Sequence, residues 1–205
     1  MGEVELDTMS MAAASGAQGT LSPMPIVEAL GQVGPAPVSA LVVPFALPLA
    51  LARVRRRWDY AALTGVGPHV TILFPFLPCA ELGTRERAEL AAMARTVPAF
   101  DVRFEEVRRF QDLVWVQPEP ADPFARLTAT IVARWPSHPP YEGAFDIVIP
   151  HLTVVESDGA DLEAIEALAR RSTPFTLPAQ RMELWCQDGA GRWRTRWRLP
   201  FAVRP

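Results

Sequence analysis

Lysine is absent from this 205-residue chain; all 20 basic residues are arginine. Chemistry that needs a lysine, such as a nucleotidyl-lysine intermediate, a Schiff base or a P-loop, is thereby excluded. The heavy use of Ala, Pro and Arg fits a GC-rich coding sequence. Cysteine is scarce as well. Cys79 and Cys186 have no metal-ligand spacing and, with no secretory signal, read as two reduced cytosolic thiols rather than a disulfide framework. No apolar run approaches the roughly 20 residues of a membrane span, and the N-terminus lacks the basic start and compact apolar core of a signal peptide. A soluble cytoplasmic protein, without a membrane partner, is expected. Net charge is −3 with a pI near 5.7, so no global basic field recruits long nucleic acid and a compact ligand fits better.

Histidine is rare too, with three in the chain, and two of them sit in a repeated pattern. Pro68-His69-Val70-Thr71-Ile72-Leu73-Phe74 and Pro150-His151-Leu152-Thr153-Val154-Val155 both read Pro, His, apolar, Thr, then apolar residues. A β-branched apolar run of this length predicts a strand. Side chains alternate along a strand, so each copy presents an imidazole and a hydroxyl on one face, roughly 6–7 Å apart, with apolar residues on the other.

Around these strands the chain divides simply. Residues 1–37, rich in Ala, Gly, Ser, Met and Pro, read as a flexible extension, and residues 38–205 as a single bilobed domain. The spacing predicts a first strand over 39–47, in which Pro44 argues for an edge or a strand end. A helix over 49–60 carries Arg53, Arg55, Arg56 and Arg57, read as a solvated face. A helix over 84–95 takes Thr84 as its N-cap. A hairpin over 100–117 turns near Gln111-Asp112. A helix over 122–134 has proline at its first position, and a proline-rich loop runs to Gly143. The second histidine strand spans 147–155, and a short helix covers 161–171. A closing hairpin pairs 175–186 with 191–201; in its last strand the arginines from Arg192 to Arg198 share one face, opposite Trp193, Thr195, Trp197 and Leu199. Strand, helix, hairpin recurs around each motif, which points to an α+β fold of two duplicated antiparallel halves with outer helices around a central cleft.

Two imidazoles facing each other suit general acid–base catalysis: one takes a proton from the attacking oxygen while the other gives one to the leaving oxygen. The threonine hydroxyls would hold the non-bridging oxygens of a phosphate between them, each hydrogen bond to a charged acceptor contributing about 1.5–3 kcal/mol. A phosphodiester uses all four groups at once, with no nucleophilic Ser or Cys. Zinc fails on ligand count, because His138 lies in the proline loop and the cysteines are unpatterned. Tyr141 and Trp115 are the aromatics placed to stack on a base, although core packing competes for Trp115.

The paired His-x-Thr motifs, with Gly-x-Gly-Pro-His-Val-Thr-Ile-Leu-Phe-Pro-Phe-Leu-Pro early and Ala-Arg-Trp-Pro-x-x-Pro-Pro-Tyr before Ile-Pro-His-Leu-Thr-Val, resemble the 2H phosphoesterase superfamily and its bacterial 2'-5' RNA ligase-like branch. The resemblance covers roughly residues 39–201. It implies a bilobed α+β fold and metal-independent, cofactor-free cleavage or formation of phosphodiesters in nucleotides or RNA ends, often 2',3'-cyclic phosphates. By it His69 and His151 carry over as acid and base, and Thr71 and Thr153 as phosphate contacts. A monomer acting on a small nucleotide or RNA-end phosphodiester is expected, the alternative being a module that binds such a ligand without turning it over.

Overall fold

The computed structural model describes residues 38–145 and 148–204; the expected N-terminal extension and the predicted start of the second histidine strand at Ile147 lie outside them. The elements run β1 (Ser39–Pro44), α1 (Leu49–Trp58), α2 (Tyr60–Leu63), β2 (His69–Leu73), a 3-10 turn (Cys79–Glu81), α3 (Thr84–Ala94), β3 (Phe100–Phe110), β4 (Leu113–Glu119), α4 (Asp122–Arg134), a second 3-10 turn (Pro140–Gly143), β5 (Leu152–Glu156), α5 (Leu162–Ser172), β6 (Phe175–Ala179), β7 (Arg181–Gln187) and β8 (Trp193–Pro200). The expected α+β class holds: one antiparallel sheet has the order β6-β3-β4-β5-β2-β1-β7-β8.

The two histidine strands are neighbours at the centre of that sheet, with three strands beyond each of them. β1 and β2 are nearly continuous apolar runs because both of their faces are covered. Pro44 ends β1, a central strand, opposite His69, where its missing N–H costs no ladder bond; the next residue resumes pairing through Phe45 N–H to Pro68 O at 2.9 Å. One sheet face carries Leu41, Val43, Val70, Ile72, Leu152 and Val154, which pack with Leu51 of α1, Leu90 of α3, Phe124, Leu127 and Ile131 of α4, and Ile165 of α5. Each of these large side chains contributes about 1.5–3 kcal/mol by leaving water. Ala40, Val42, Val66, Phe74, Trp185 and Trp193 belong to a smaller, separate cluster. Strand alternation places Ala40 and Val42 opposite Leu41 and Val43, so this cluster lies on the other face of the sheet.

Several expectations are corrected. The stretch 175–186 is not one strand: it breaks at Gln180, β6 pairs with β3 at one sheet edge, and only β7 forms the hairpin with β8. The hairpin after each histidine strand also joins the opposite half. Both edges of β2 are taken, by β1 and β5, so β3 and β4 extend the sheet beyond β5, while β7 and β8 extend it beyond β1. Thr84 opens α3 but does not cap it; Gly83 is the N-cap, its N–H donating to Glu86 Oε2 at 2.9 Å. The arginines of β8, Arg194, Arg196 and Arg198, do not share one face. A bulge lets Thr195 face Trp185 and Trp197 face Leu184, which leaves Arg196 between them to donate to Cys79 O and Leu82 O, both at 2.7 Å. Cys79 and Cys186 are not free thiols: they form a disulfide, Cα–Cα 6.0 Å, across 107 residues of sequence. The β1–β7 pairing brings Cys186 opposite Ser39, whose hydroxyl donates to Leu77 O two residues before Cys79, a closeness invisible in linear spacing. Finally, Arg55 is not on a solvated face. It lies one turn from the buried Leu51 and is itself 3% exposed. Among the described residues no helix is long and apolar enough to cross a membrane.

Candidate active site

β2 and β5 pair antiparallel in the register Val70↔Leu152. One position out on either side, His69 therefore lies across from Thr153, and Thr71 across from His151. Val70 and Leu152 belong to the helix-covered core, so the four polar side chains share the opposite face. His69, His151 and Thr153 are buried and Thr71 is partly so.

Each histidine is fixed by the same local device. His69 Nδ1–H donates to Gly67 O at 2.7 Å, and His151 Nδ1–H donates to Ile149 O at 2.8 Å. In both, the acceptor is the carbonyl two residues back and the intervening residue is proline. Proline has a fixed φ and no N–H of its own to compete for that carbonyl, which gives the Pro-His pairs a physical role. A carbonyl only accepts, so Nδ1 carries the proton in both neutral rings and Nε2 is the basic nitrogen available for chemistry. A tryptophan flanks each ring edge-on: Trp185 of β7 against His69 with centroids 5.0 Å apart, and Trp115 of β4 against His151 at 5.7 Å. Trp185 is held in turn, its Nε1–H donating to buried Glu183 Oε2 at 2.8 Å.

Burial pushes both imidazoles below their ordinary range. His69 falls to about 3, with the nearby Arg55 cation and His151 adding to the effect and the Gly67 carbonyl opposing it. His151 is lowered by the same burial, against the pull of the Ile149 carbonyl. Both rings are therefore neutral in the empty site. Two buried polar atoms here, His151 Nε2 and Thr153 Oγ1, have no hydrogen-bond partner among the described residues. Native interiors rarely leave such groups unpaired, and these two lie on one strand face, two residues apart.

Of the aromatic candidates, Trp115 is 3% exposed and walls His151, so its faces are spent on packing. Tyr141 lies against the small aromatic cluster, where with His69, Thr71, Phe74, Trp185 and Trp193 it bounds a pocket of about 350 Å3, counting the part open to solvent. His138 instead packs near Phe76 of the main core, centroids 6.3 Å apart.

A buried ion pair ties α1 to β5 and to Val66 in the loop before β2, and was not apparent in the sequence. Arg55 donates through Nη1 to Thr153 O at 3.0 Å and to Asp59 Oδ2 at 3.2 Å, and through Nη2 to Val66 O at 3.3 Å. Asp59 accepts from Glu156 N–H at 3.1 Å and, as N-cap of α2, from Ala62 N–H at 2.7 Å. Burial lowers the Arg55 guanidinium and raises the Asp59 carboxyl, each opposed by the other's charge. The Arg-x-x-x-Asp spacing one turn after Leu51 was the available signal. Among the described residues no group of three or more His, Cys, Asp or Glu side chains could hold a metal ion.

The sequence profile described as the 2'-5' RNA ligase superfamily matches residues 43–191, which include both Pro-His-apolar-Thr strands. The chain belongs to the 2'-5' RNA ligase superfamily. Its placement among the 2H phosphoesterases agrees with the paired motifs. Solved structures with the same fold as this superfamily member include the Thermus thermophilus protein TT0787, at TM-score 0.53 and 18% identity over 80% of this chain and 97% of that one. Escherichia coli LigT complexed with 3'-AMP has TM-score 0.46 and 14% identity over 82% and 99%. A structure described as a phosphoesterase has TM-score 0.46 and 16% identity over 80% and 98%. At 18% identity the likeness to TT0787 speaks to the fold alone. Among curated proteins none matches the sequence.

Proposed function

We propose that this 2'-5' RNA ligase superfamily member is a metal-independent phosphodiesterase acting on a 2',3'-cyclic phosphate, an RNA terminus or a small nucleotide phosphodiester. In hydrolysis, one histidine takes a proton from water as its oxygen bonds to phosphorus. The other gives a proton to the oxygen whose bond to phosphorus breaks, and the roles exchange in the reverse direction. Thr71 and Thr153 hold the non-bridging oxygens. The observation that carries this reading is the pair of unpartnered buried atoms, His151 Nε2 and Thr153 Oγ1, beside a second histidine in the same tautomer. Both rings start neutral, so one must gain a proton with the substrate; a phosphate anion between them favours the imidazolium form. A monomer in the cytoplasm, needing no cofactor, completes the proposal.

The test is turnover of a panel of cyclic phosphates by the native protein and by His69→Ala and His151→Ala, with EDTA present. Each substitution is expected to remove at least about a hundredfold in kcat/KM, with a bell-shaped pH profile in the native protein. Turnover that survives either change would sink the acid–base assignment. The burial that leaves both imidazoles uncharged also favours a second reading, a module that holds a nucleotide or RNA end in the same cleft without cleaving it. Ligand-induced thermal stabilisation, lost in Thr153→Val and accompanied by no product on long incubation, would select that one.

A further inference from the structure

Each site histidine has a tryptophan against it, and the two tryptophans differ in how they use the indole N–H. Trp185, against His69, donates it to Glu183 Oε2 at 2.8 Å. Trp115, against His151 and 3% exposed, has no partner for its Nε1 among the described residues. Val114 and Val116 pack into the helix-covered core, so Trp115 between them projects from the opposite face, the one that carries the four motif side chains. There it stands directly across from Thr153 in the β4–β5 register, a pairing that brings Cβ atoms to roughly 4.5–5.5 Å. Arg108, its partner on β3, lays its guanidinium over the ring, Cζ 5.7 Å from the centroid. The ring is engaged by these neighbours, and the N–H is the group left unused.

Trp115 Nε1, His151 Nε2 and Thr153 Oγ1 are all buried and all without a partner among the described residues. An indole N–H only donates, the Nε2 of a ring protonated at Nδ1 only accepts, and a hydroxyl does both. These three groups, on adjoining side chains, are matched to one another, yet the fold makes none of the bonds between them. Leaving buried donors and acceptors unpaired is costly. We propose that Trp115 is a further phosphate-binding residue: its Nε1–H donates, beside the Thr153 hydroxyl, to a non-bridging oxygen of the phosphate group held at His151. The inference rests on the assignment of this site to a phosphodiester. A phosphate complements the set, because its anionic oxygens accept from both neutral donors while an imidazolium at His151 donates to it as well. The two halves of the site are then inequivalent. The His151 half offers the phosphate a hydroxyl and an indole N–H, whereas in the His69 half the indole N–H is already committed to Glu183. This also changes the part expected of Trp115 from the sequence, since the N–H edge and not the ring face is the functional group.

The experiment reads phosphate binding and not turnover. Inorganic phosphate is titrated by calorimetry into the full-length native protein and into Trp115→Phe, which keeps an aromatic wall beside His151 and lacks the N–H. Affinity is expected to fall roughly tenfold or more, the loss of one hydrogen bond to a charged acceptor. The same titration is followed by NMR through the indole protons of the six tryptophans in the native protein. The Trp115 indole proton should move downfield, and further than that of any other tryptophan. General packing does not produce that shift, and reading it requires no variant to fold. An unchanged affinity in Trp115→Phe, or a Trp115 indole proton that phosphate leaves in place, would overturn the proposal. Native protein that binds no phosphate would remove the phosphate site and the proposal with it. Binding that depends on Trp115 in a protein that turns over no cyclic phosphate would sustain the proposal and count against the phosphodiesterase reading alone.

Discussion

Acidification should weaken this protein through its own site histidines. His69 has an ordinary pKa of 6.5 and is pushed to about 3 in the fold by burial. The unfolded chain therefore binds a proton at this position between about pH 6.5 and 3 while the folded chain does not, and stability falls as pH falls through that window. Taking one proton difference at 1.36 kcal/mol per pH unit, lowering the pH from about 7.5 to about 5 removes about 2 kcal/mol through His69 alone. His151, lowered by the same cause, adds to the loss with the same sign. Asp59 has its carboxyl raised by burial and acts in the opposite direction, but it does so equally in a comparison of two variants. The measurement is urea unfolding at both pH values for the native protein and His69→Gln, which cannot titrate. The native protein should lose about 2 kcal/mol more than the variant, and inorganic phosphate should narrow that gap by stabilising the imidazolium. Identical losses in the two proteins would refute the claim that His69 is held neutral by burial, and with it the inference that substrate must bring the second proton.

Other perturbations are as specific. Arg55→Met leaves Asp59 as an uncompensated buried carboxylate and frees the carbonyls of Val66 and Thr153, so a loss of about 3–5 kcal/mol is expected in denaturant unfolding. Arg53→Met, on the exposed face of the same helix, should move stability by less than about 0.5 kcal/mol. The Cys79–Cys186 disulfide closes a loop of 107 residues, for which chain entropy gives a stabilisation of up to about 5 kcal/mol. Guanidinium unfolding with and without a phosphine reductant measures that term, and alkylation of unreduced, denatured protein followed by intact mass should show no modified cysteine.

The histidine strands were legible because they carry two signals at once, an alternating apolar run and a repeated polar pair; the register Val70↔Leu152 then sets each histidine across from the other motif's threonine. The helix over 122–134 was legible from Asp122-Pro123 and its apolar spacing. What escaped was decided by pairing across long separations. Nothing near Phe175 states that it will lie beside Phe104, or that at Gln180 the chain leaves its pairing with β3 for one with β8 and β1. Arg55 looks like its neighbours in sequence and differs from them only in what the helix packs against. The cysteines offered no spacing because the strand pairing, not the sequence interval, brings them together. The bulge at Arg196 likewise depends on how β8 fits β7, and an unbroken alternation was the natural prediction without it.

The placement of β1 between β2 and β7 bears on how the molecule is made. Ser39 is among the first described residues and pairs with Cys186, so the strand beside the first motif waits for a partner from near the far end of the chain. Such remote pairings are slow to find and fold late. During translation a ribosome has delivered both histidines well before Trp185 and Trp193, the walls on the His69 side, leave the exit tunnel. The newborn chain thus holds His69 without the Trp185 wall that contributes to its burial. The full burial of His69 thus comes only when the β7–β8 hairpin closes against β1, the first of the described strands.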